Sequence, residues 1–158
     1  MQDLVTKIAA KLLEKKMVLA TAESCTGGWI AQQLTDVAGS SEWFDCGFVT
    51  YSNESKKRLL GVSAVSLDTC GAVSQEVVTE MAEGVLSSAE VSISVATSGV
   101  AGPGGGSDEK PVGTVWFAWA EQGKDTRTEK KQFSGERESV RKQAVKYALE
   151  GILKNLSD

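Results

Sequence analysis

The sequence predicts an α/β protein, built as a single three-layer α/β/α domain over residues 1–158 with a mixed β-sheet at its centre. Segments with helical apolar periodicity alternate with short strand-like segments along the chain. The last two strand-like segments are joined by a short polar turn, which is typical of an antiparallel hairpin. The length also fits one domain, because about 100–200 residues normally form one, and no repeat, linker or low-complexity tail divides the chain.

The first part of the chain contributes two helices and two strands to this prediction. Apolar residues at helical spacing predict an opening helix that ends near Lys16. A buried strand over 17–20 then leads, through a polar turn with two glycines, to a helix that begins at Trp29. After a break at 39–41, the segment 47–51 is expected to form the second strand.

The later elements are predicted from periodicity and from residues that cap helices. Asn53 is expected to cap a short helix through Leu60, and Ser74 is expected to cap a longer helix over 75–89. Strict alternation of apolar and polar residues predicts a strand at 91–97. Two hairpin strands and a closing helix complete the prediction, at 112–119, at 126–133 and after Gly135.

Histidine is absent from the whole sequence. Ser-His-Asp and Cys-His arrangements within one chain are therefore excluded, and an activated nucleophile needs another base. Lysine is the usual substitute, since burial or a neighbouring cation lowers its pKa. Cys25, Cys46 and Cys70 are too widely spaced for a Cys-x-x-Cys site, so no zinc site is predicted. Cys46 and Cys70 are expected to act as small buried apolar residues.

The charge balance and the N-terminus narrow the classes of partner. A net charge of −4 and a pI near 5.0 provide no basic surface for nucleic acid, although one phosphate could still bind a local cationic pocket. The N-terminus has no basic-then-apolar signal, and no segment approaches the ~18 apolar residues that span a bilayer. We therefore expect a soluble cytoplasmic protein with reduced cysteines, no nucleic-acid partner and no membrane partner.

The strongest candidate for a reaction centre is the sequence TAESCTGG at 21–28, where a strand runs into a helix. Ser24 and Cys25 are competing nucleophiles, or else small residues that fill a crowded turn, and the residues alone leave this choice open. The unpaired N–H groups at a helix start favour an anion, such as a phosphate, a carboxylate or a developing oxyanion. The residues that would carry these groups are Thr26, Gly27 and Gly28.

A second glycine-rich segment, SGVAGPGGGS at 98–107, follows a predicted strand. It fits neither the dinucleotide fingerprint nor the P-loop pattern. One interpretation is a flexible surface turn. The other is a ligand-binding loop at the carboxyl end of a strand, where open α/β sheets usually bind ligands. In that case its N–H groups hold a phosphate or complete an oxyanion hole, and the residues concerned include Ser98, Gly99, Gly102 and Gly104.

Three basic residues have both a functional and an ordinary interpretation. Lys56 begins a Lys-Lys-Arg run, and most such runs are solvated helix faces. Arg137 and Arg141 are four residues apart on the last predicted helix, so they share a face. They are either a clamp for a phosphate or ordinary surface charges.

Several motifs occur in order along nearly the whole chain: TAESCTGG at 21–28, GSSEWF at 39–44, GFVTYSN at 47–53 with Lys56, GAVS at 71–74, SGVAGP at 98–103, KPVGTV at 110–115 and FSGER at 133–137. Together they resemble the CinA C-terminal-domain family, the nicotinamide-nucleotide amidohydrolases. The resemblance implies hydrolysis of the carboxamide of nicotinamide mononucleotide, which gives nicotinic acid mononucleotide and ammonia in pyridine-nucleotide salvage. It implies a small-molecule substrate and neither a metal nor an organic cofactor.

The same resemblance assigns the catalytic roles. Ser24 is expected to be the nucleophile and Lys56 its general base, with Ser41 and Tyr51 in support. Amide hydrolysis needs an attacking group, a proton carrier for the departing ammonia and donors for the oxyanion. A Ser-Lys pair supplies the first two without histidine.

The substrate-binding roles are expected to fall on the two glycine-containing segments. Backbone N–H groups around Thr26 and Gly27 would bind the oxyanion, and the 99–106 loop with Arg137 would hold the 5′-phosphate or the ribose. The sequence leaves open which segment receives which anion, because exchanging the two roles leaves the reaction unchanged.

Expectations on assembly and two alternative functions complete the prediction. Many relatives carry this module behind a larger N-terminal domain, and this chain is expected to be the stand-alone form. A homo-oligomer is expected, with the dimer as its expected form, and Trp43 and Phe44 are expected either at the interface or in the core. The alternatives are a nucleotide-binding regulatory module without catalysis and a hydrolase in which the Cys25 thiolate attacks.

Overall fold

A computed structural model describes residues 1–158 and contains one five-stranded sheet and six α-helices. The elements in chain order are α1 Gln2–Lys15, β1 Leu19–Glu23, α2 Trp29–Thr35, β2 Phe44–Val49, α3 Asn53–Leu60, α4 Ala64–Cys70, α5 Gln75–Ala89, β3 Ile93–Gly99, β4 Thr114–Glu121, β5 Arg127–Gln132 and α6 Arg137–Ser157. A single turn of 3₁₀ helix, Ser40–Glu42, precedes β2.

The sheet is mixed, as the sequence predicts, with the strand order β2-β1-β3-β4-β5. β1 pairs in parallel with both β2 and β3, while β4 is antiparallel to β3 and forms a hairpin with β5. Glu23, the last residue of β1, lies opposite Val49 of β2 and Thr97 of β3. The carboxyl ends of the three parallel strands therefore lie side by side at the same end of the sheet.

Helices cover both faces of the sheet, which confirms the three-layer architecture. One face carries large side chains, including Phe117 and Trp119, and packs against α1, α2 and α6. The other face carries small ones, including Ala22 and Ala118, and packs mainly against α5. A Cβ at Gly151 of α6 would lie 2.1 Å from the Trp119 ring, so α6 approaches the sheet closely only because this residue is glycine.

Helix capping follows the sequence prediction at one helix and departs from it at another. Ser74 caps α5, since its hydroxyl accepts a hydrogen bond from Val77 N, and the helix spans the predicted residues. The prediction that Asn53 caps α3 is wrong. Ser52 is the cap, because its hydroxyl accepts from Ser55 N, and Asn53 is the first helical residue.

The predicted strand boundaries are shifted by a few residues. β1 covers 19–23 instead of 17–20, so the first three residues of the TAESCTGG motif belong to the strand. The boundary was misplaced because Thr21 and Glu23 are polar and therefore resemble turn residues. Both are fully buried in the strand, where they form hydrogen bonds within the protein. The short helix α4 and the 3₁₀ turn were not predicted.

Trp43 and the cysteines occupy different environments from one another. Trp43 is 2% exposed and lies in the core between the sheet and α1, α2 and α6, while Phe44 is half-buried against the same core. Cys46 and Cys70 are only partly buried, so the expectation of small buried apolar residues is wrong for both.

No helix of the chain is sufficiently long and apolar to cross a membrane.

Candidate active site

The candidate site is a cleft of about 280 Å³ at the edge where the parallel strands end. Ser24 follows β1 directly and Tyr51 follows β2, while the glycine-rich loop follows β3. Arg137, the first residue of α6, closes the cleft from the helix layer. The cleft is lined by Ser24, Cys25, Tyr51, Gly99, Val100, Ala101, Gly102, Gly104, Gly105 and Arg137.

Lys56 lies behind Ser24 and contacts its hydroxyl. The α3 helix starts three residues before Lys56, after a short connection from the end of β2, so Lys56 lies in its first turn, close to the carboxyl ends of the parallel strands. Lys56 is 1% exposed, and its Nζ lies 3.0 Å from Ser24 Oγ. The same nitrogen donates to Thr50 O at 2.8 Å and to Tyr51 O at 3.4 Å. The ordinary interpretation of Lys56 as a solvated helix residue is therefore wrong.

The surroundings of Lys56 favour its neutral amine. Burial lowers the pKa of Lys56 below its ordinary value of 10.5, and no carboxylate forms an ion pair with it. A neutral amine has two N–H donors and one lone pair. The carbonyls of Thr50 and Tyr51 can take the two donors, which leaves the lone pair for the Ser24 hydroxyl proton.

Cys25 lies beside Ser24 in a chemically different state. Burial raises the pKa of the Cys25 thiol to about 11, so thiolate is scarce near neutral pH. Thiolate, and not thiol, is the attacking form of cysteine. Of the two competing candidates in the motif, Ser24 is the one with a base in contact.

The N-terminus of α2 is occupied by a carboxylate of the protein itself. Glu23 is fully buried, and its two carboxylate oxygens accept hydrogen bonds from Ile30 N at 2.8 Å and Ala31 N at 3.0 Å. These are donors that would otherwise bind an external anion. The expectation that the start of this helix offers an open anion site around Gly28 is therefore corrected, since Glu23 fills it.

The turn between β1 and α2 still presents three unpaired donors. Gly27 N donates to Ser24 O, which closes the turn, and Trp29 N donates to Thr26 O. The N–H groups of Cys25, Thr26 and Gly28 donate to no acceptor in the protein. Cys25 and Thr26 directly follow Ser24.

Arg141 does not line the cleft, so it does not form the predicted phosphate clamp with Arg137. Its Nε donates to Cys25 O at 3.0 Å and its Nη2 to Thr26 O at 3.2 Å, so its guanidinium is bound to the turn that follows β1. Arg137, one helical turn earlier, differs: it is exposed and lines the cleft. It donates to Gly102 O at 2.8 Å and to Tyr51 Oη at 3.2 Å.

The glycine-rich loop has a defined shape, set by close packing against the strand that follows it. A Cβ at Gly99 would lie 2.7 Å from Thr114 O, and one at Gly102 would lie 2.5 Å from the side chain of Val112. Gly102 also has a φ of +82°, which favours glycine. The N–H groups of Gly102, Gly104 and Gly105 have no acceptor in the protein, so they are open to a ligand in the cleft.

Not every residue predicted for the site lines the cleft. Ser98 is buried within β3, and Thr26 is buried where its hydroxyl lies 2.9 Å from that of Thr97. Ser41 is exposed and lies near the amino ends of the parallel strands, away from the cleft at their carboxyl ends. This follows because Ser41 precedes Phe44, which pairs with the first residue of β1. Within one chain, Ser41 forms no hydrogen bond with the residues around Ser24. Gly27 and Gly28 shape the turn, with φ values of +60° and +95°.

Sequence reasoning missed two contributors to the site, the carboxylate of Glu23 and the carbonyl of Thr50, and it offered Arg141 as a phosphate clamp or a surface charge instead of a partner of the turn. Glu23 lies six residues before Trp29, the first residue of α2, so it is outside the usual capping position. Thr50 contributes a main-chain carbonyl, and the partners of Arg141 are distant in sequence, so no local pattern indicates either contact. No group of three potential metal-binding side chains lies together in the structure.

Comparisons with known proteins identify the family of the chain. A family model described as the CinA C-terminal domain matches residues 1–156. The chain is 56% identical over 156 residues to "Nicotinamide-nucleotide amidohydrolase PncC" of Enterobacter agglomerans, covering 98% of this chain and 94% of the relative. It is 51% identical over 152 residues to the protein of the same name from Escherichia coli strain K12, covering 96% and 92%. A crystal structure of a CinA superfamily protein from Klebsiella pneumoniae 700603 matches with a TM-score of 0.94 and 42% identity, covering 99% of this chain and 97% of that one.

Proposed function

The chain belongs to the CinA C-terminal domain family, and we propose that it is a nicotinamide mononucleotide deamidase. The enzyme hydrolyses the carboxamide C–N bond to give nicotinic acid mononucleotide and ammonia. Two similar relatives are named nicotinamide-nucleotide amidohydrolases, which supports this substrate class. The observation that carries the proposal is the 3.0 Å contact between Ser24 Oγ and the Nζ of a buried lysine without an ion-pair partner.

The first half of the reaction forms an acyl-enzyme. Ser24 Oγ attacks the carboxamide carbon while its proton passes to the neutral amine of Lys56. The C–N bond of the tetrahedral intermediate then breaks, and the Lys56 ammonium returns its proton to the departing nitrogen as ammonia forms. The two carbonyls that hold Lys56 Nζ keep the amine in place in both protonation states.

The second half releases the acid. Lys56 accepts a proton from water as the water oxygen attacks the ester carbon, and the ester bond to Ser24 Oγ breaks as the proton returns to that oxygen. The product is the carboxylate of nicotinic acid mononucleotide. The unpaired N–H groups of Cys25 and Thr26 bind the oxyanion in both halves.

The phosphate of the nucleotide is assigned to the glycine-rich loop and the start of α6. Gly102, Gly104 and Gly105 offer unpaired N–H groups, and the exposed guanidinium of Arg137 lies within the same cleft. The first N–H groups of a 21-residue helix add a favourable dipole at this position. Glu23 already occupies the corresponding position of α2, so the two anions are assigned to different segments.

The experiment that tests the function measures ammonia and nicotinic acid mononucleotide together, with nicotinamide mononucleotide as substrate and metal-free protein. Wild type is expected to form both products in equal amounts, and Ser24→Ala to form neither while still binding the substrate. Binding without turnover by wild type would favour a regulatory module. A fully active Ser24→Ala protein would contradict the nucleophile assignment.

Assembly and location belong to the proposal as well. Residues 1–158 act as one domain, in a cytoplasmic homo-oligomer that we propose is a dimer. β2 is an edge strand of the sheet, and the exposed apolar residues Val49 and Tyr51 lie at its carboxyl end. Light scattering of the purified protein tests this, since a monomer at micromolar concentration would contradict it.

A further inference from the structure

Arg141 contacts the turn that follows Ser24 without lining the substrate cleft. It extends from α6 and is half-buried. Its Nε binds Cys25 O at 3.0 Å and its Nη2 binds Thr26 O at 3.2 Å, so one planar guanidinium fixes two successive carbonyls. The guanidinium also lies 5.5 Å from the centre of the Trp29 ring.

The position of the guanidinium determines the direction of a backbone donor. The peptide bond between Cys25 and Thr26 is trans, since the only cis peptide bond is Gly102-Pro103. In a trans peptide the C=O and the next N–H point in opposite directions. With Cys25 O bound to Arg141, the Thr26 N–H is directed away from the arginine.

That donor is buried and has no partner. Thr26 is 0% exposed, and its N–H donates to no acceptor in the protein. Buried backbone N–H groups without an acceptor are rare, because each costs about as much free energy as a lost hydrogen bond. Thr26 itself does not line the cleft, but its neighbour Cys25 does. An oxygen of a substrate bound beside Ser24 would supply the acceptor that this N–H lacks.

We infer that Arg141 is a positioning residue that aligns and polarises the Cys25–Thr26 peptide, so that the Thr26 N–H donates to the tetrahedral oxyanion. This inference rests on the proposed amide hydrolysis at Ser24. A guanidinium on the carbonyl of a peptide strengthens its N–H as a donor, because hydrogen bonds in a chain polarise one another. Arg141 thereby acts on the transition state without touching the substrate.

The surrounding sequence is built to admit an arginine at this position. A Cβ at Gly27 would lie 3.2 Å from Arg141 Nη2, so the absence of a side chain at Gly27 lets the guanidinium approach. Lysine would not reproduce the contact, because one ammonium lacks the planar fork that binds two carbonyls at once. Arg137 provides a matched comparison, since it lies one turn away on the same helix and faces the cleft instead.

The test compares steady-state kinetics of wild type, Arg141→Lys, Arg141→Ala and Arg137→Lys on nicotinamide mononucleotide. Lys142→Ala, at an exposed position of the same helix, serves as the control that leaves both constants unchanged. We expect kcat to fall about 10-fold in Arg141→Lys and about 100-fold in Arg141→Ala, with KM within about twofold of wild type. Arg137→Lys is expected to raise KM instead. Added guanidinium ion at about 20 mM should restore part of kcat in Arg141→Ala only, because it can occupy the vacated position.

Each outcome decides between the inference and its alternatives. Unchanged kcat in both Arg141 variants, or a kcat loss in folded Arg141→Ala that guanidinium does not restore, overturns the positioning role. If Arg141→Ala does not fold, Arg141→Lys decides alone: a lower kcat with unchanged KM and unchanged product binding supports the inference, and a wild-type kcat overturns it. If wild type releases no ammonia, the proposed function fails and the inference fails with it. An active wild type with unaffected Arg141 variants removes the inference alone.

Discussion

The two glycine-containing segments at the sheet edge differ in what surrounds their N–H groups. The turn at 24–28 is enclosed by charges of the protein itself, with Glu23 on the start of α2 and Arg141 on the carbonyls of the turn. The loop at 99–106 is held in shape by packing, but the N–H groups of Gly102, Gly104 and Gly105 have no acceptor in the protein, and these residues line an open cleft.

This difference separates two kinds of anion binding that sequence composition does not distinguish. An enclosed turn with fixed donors suits a charge that develops only in the transition state, since its dipoles are aligned beforehand. An open loop suits an anion that arrives from water with its hydration shell, such as a phosphate. Changes to the turn should therefore act on kcat, and changes to the loop should act on KM.

The largest effect is expected from Lys56→Met. Loss of the base should lower kcat about 10³-fold or more, because Ser24 then keeps its proton. Lys57→Met is the matched control, since Lys57 is the adjacent lysine, is partly exposed and pairs with Glu54. Rapid mixing with discontinuous ammonia assays gives both rates, and a Lys56→Met protein within tenfold of wild type would contradict the assignment of the base.

A pH series tests whether Lys56, the base in contact with the turn, acts as a neutral amine. Below the lowered pKa of Lys56, kcat/KM should rise about tenfold per pH unit, with a limb that ends below 10.5. Stability should change in the same direction: the unfolded chain binds the Lys56 proton more tightly than the folded one, so the free energy of unfolding rises with pH between the folded pKa and 10.5.

Chemical denaturation at several pH values measures this stability term. The rise should be smaller in Lys56→Met, which has no titrating amine at that position. Parallel curves for wild type and variant would show that the lysine pKa is not lowered in the folded protein.

Glu23→Gln tests whether the enclosed turn depends on its own carboxylate. An amide has only one oxygen to accept from Ile30 N and Ala31 N, so one buried donor loses its acceptor. We expect a loss of about 1–3 kcal/mol in the free energy of unfolding and a kcat about 10-fold lower, with KM little changed. Glu54→Gln, at an exposed position, is the control. Higher affinity for inorganic phosphate in Glu23→Gln would instead indicate that an anion had replaced the lost carboxylate.

Arg137→Ala tests the loop side of the comparison. Removal of the guanidinium should raise KM for nicotinamide mononucleotide about tenfold, as expected for one charge-assisted contact, with kcat nearly unchanged. Nicotinamide riboside lacks the phosphate, so its kcat/KM should be equal in wild type and variant. An equal loss on both substrates would assign Arg137 to the ribose or to the turn.

The smallest effect is expected from Cys25→Ala. The thiol has a pKa raised to about 11 by burial, so it supplies no nucleophile near neutral pH. Activity should remain within about threefold of wild type, which is less than 1 kcal/mol in the barrier. A loss as large as that of Ser24→Ala would revive the cysteine mechanism.

Much of the layered fold was accessible from sequence because it depends on local patterns. Apolar periodicity identified α1 and α6, the capping serine located α5, and the polar turn between β4 and β5 predicted the hairpin. Strand boundaries were less accessible: buried Thr21 and Glu23 resemble turn residues until their partners are known. The short helix α4 has too few residues for a clear period.

For the site, the sequence by itself determined the chemistry available: a hydroxyl, a thiol, basic side chains, two glycine-rich segments and no histidine. Only the tertiary structure decided how these groups are used. Parallel pairing of β1, β2 and β3 brings Ser24 to Lys56, whose pKa falls because the fold removes its amine from water. It also directs Arg141 to the turn and Arg137 to the cleft, although the two arginines look equivalent in sequence. Such assignments depend on burial and distance between residues far apart in the chain, and no local pattern encodes either quantity.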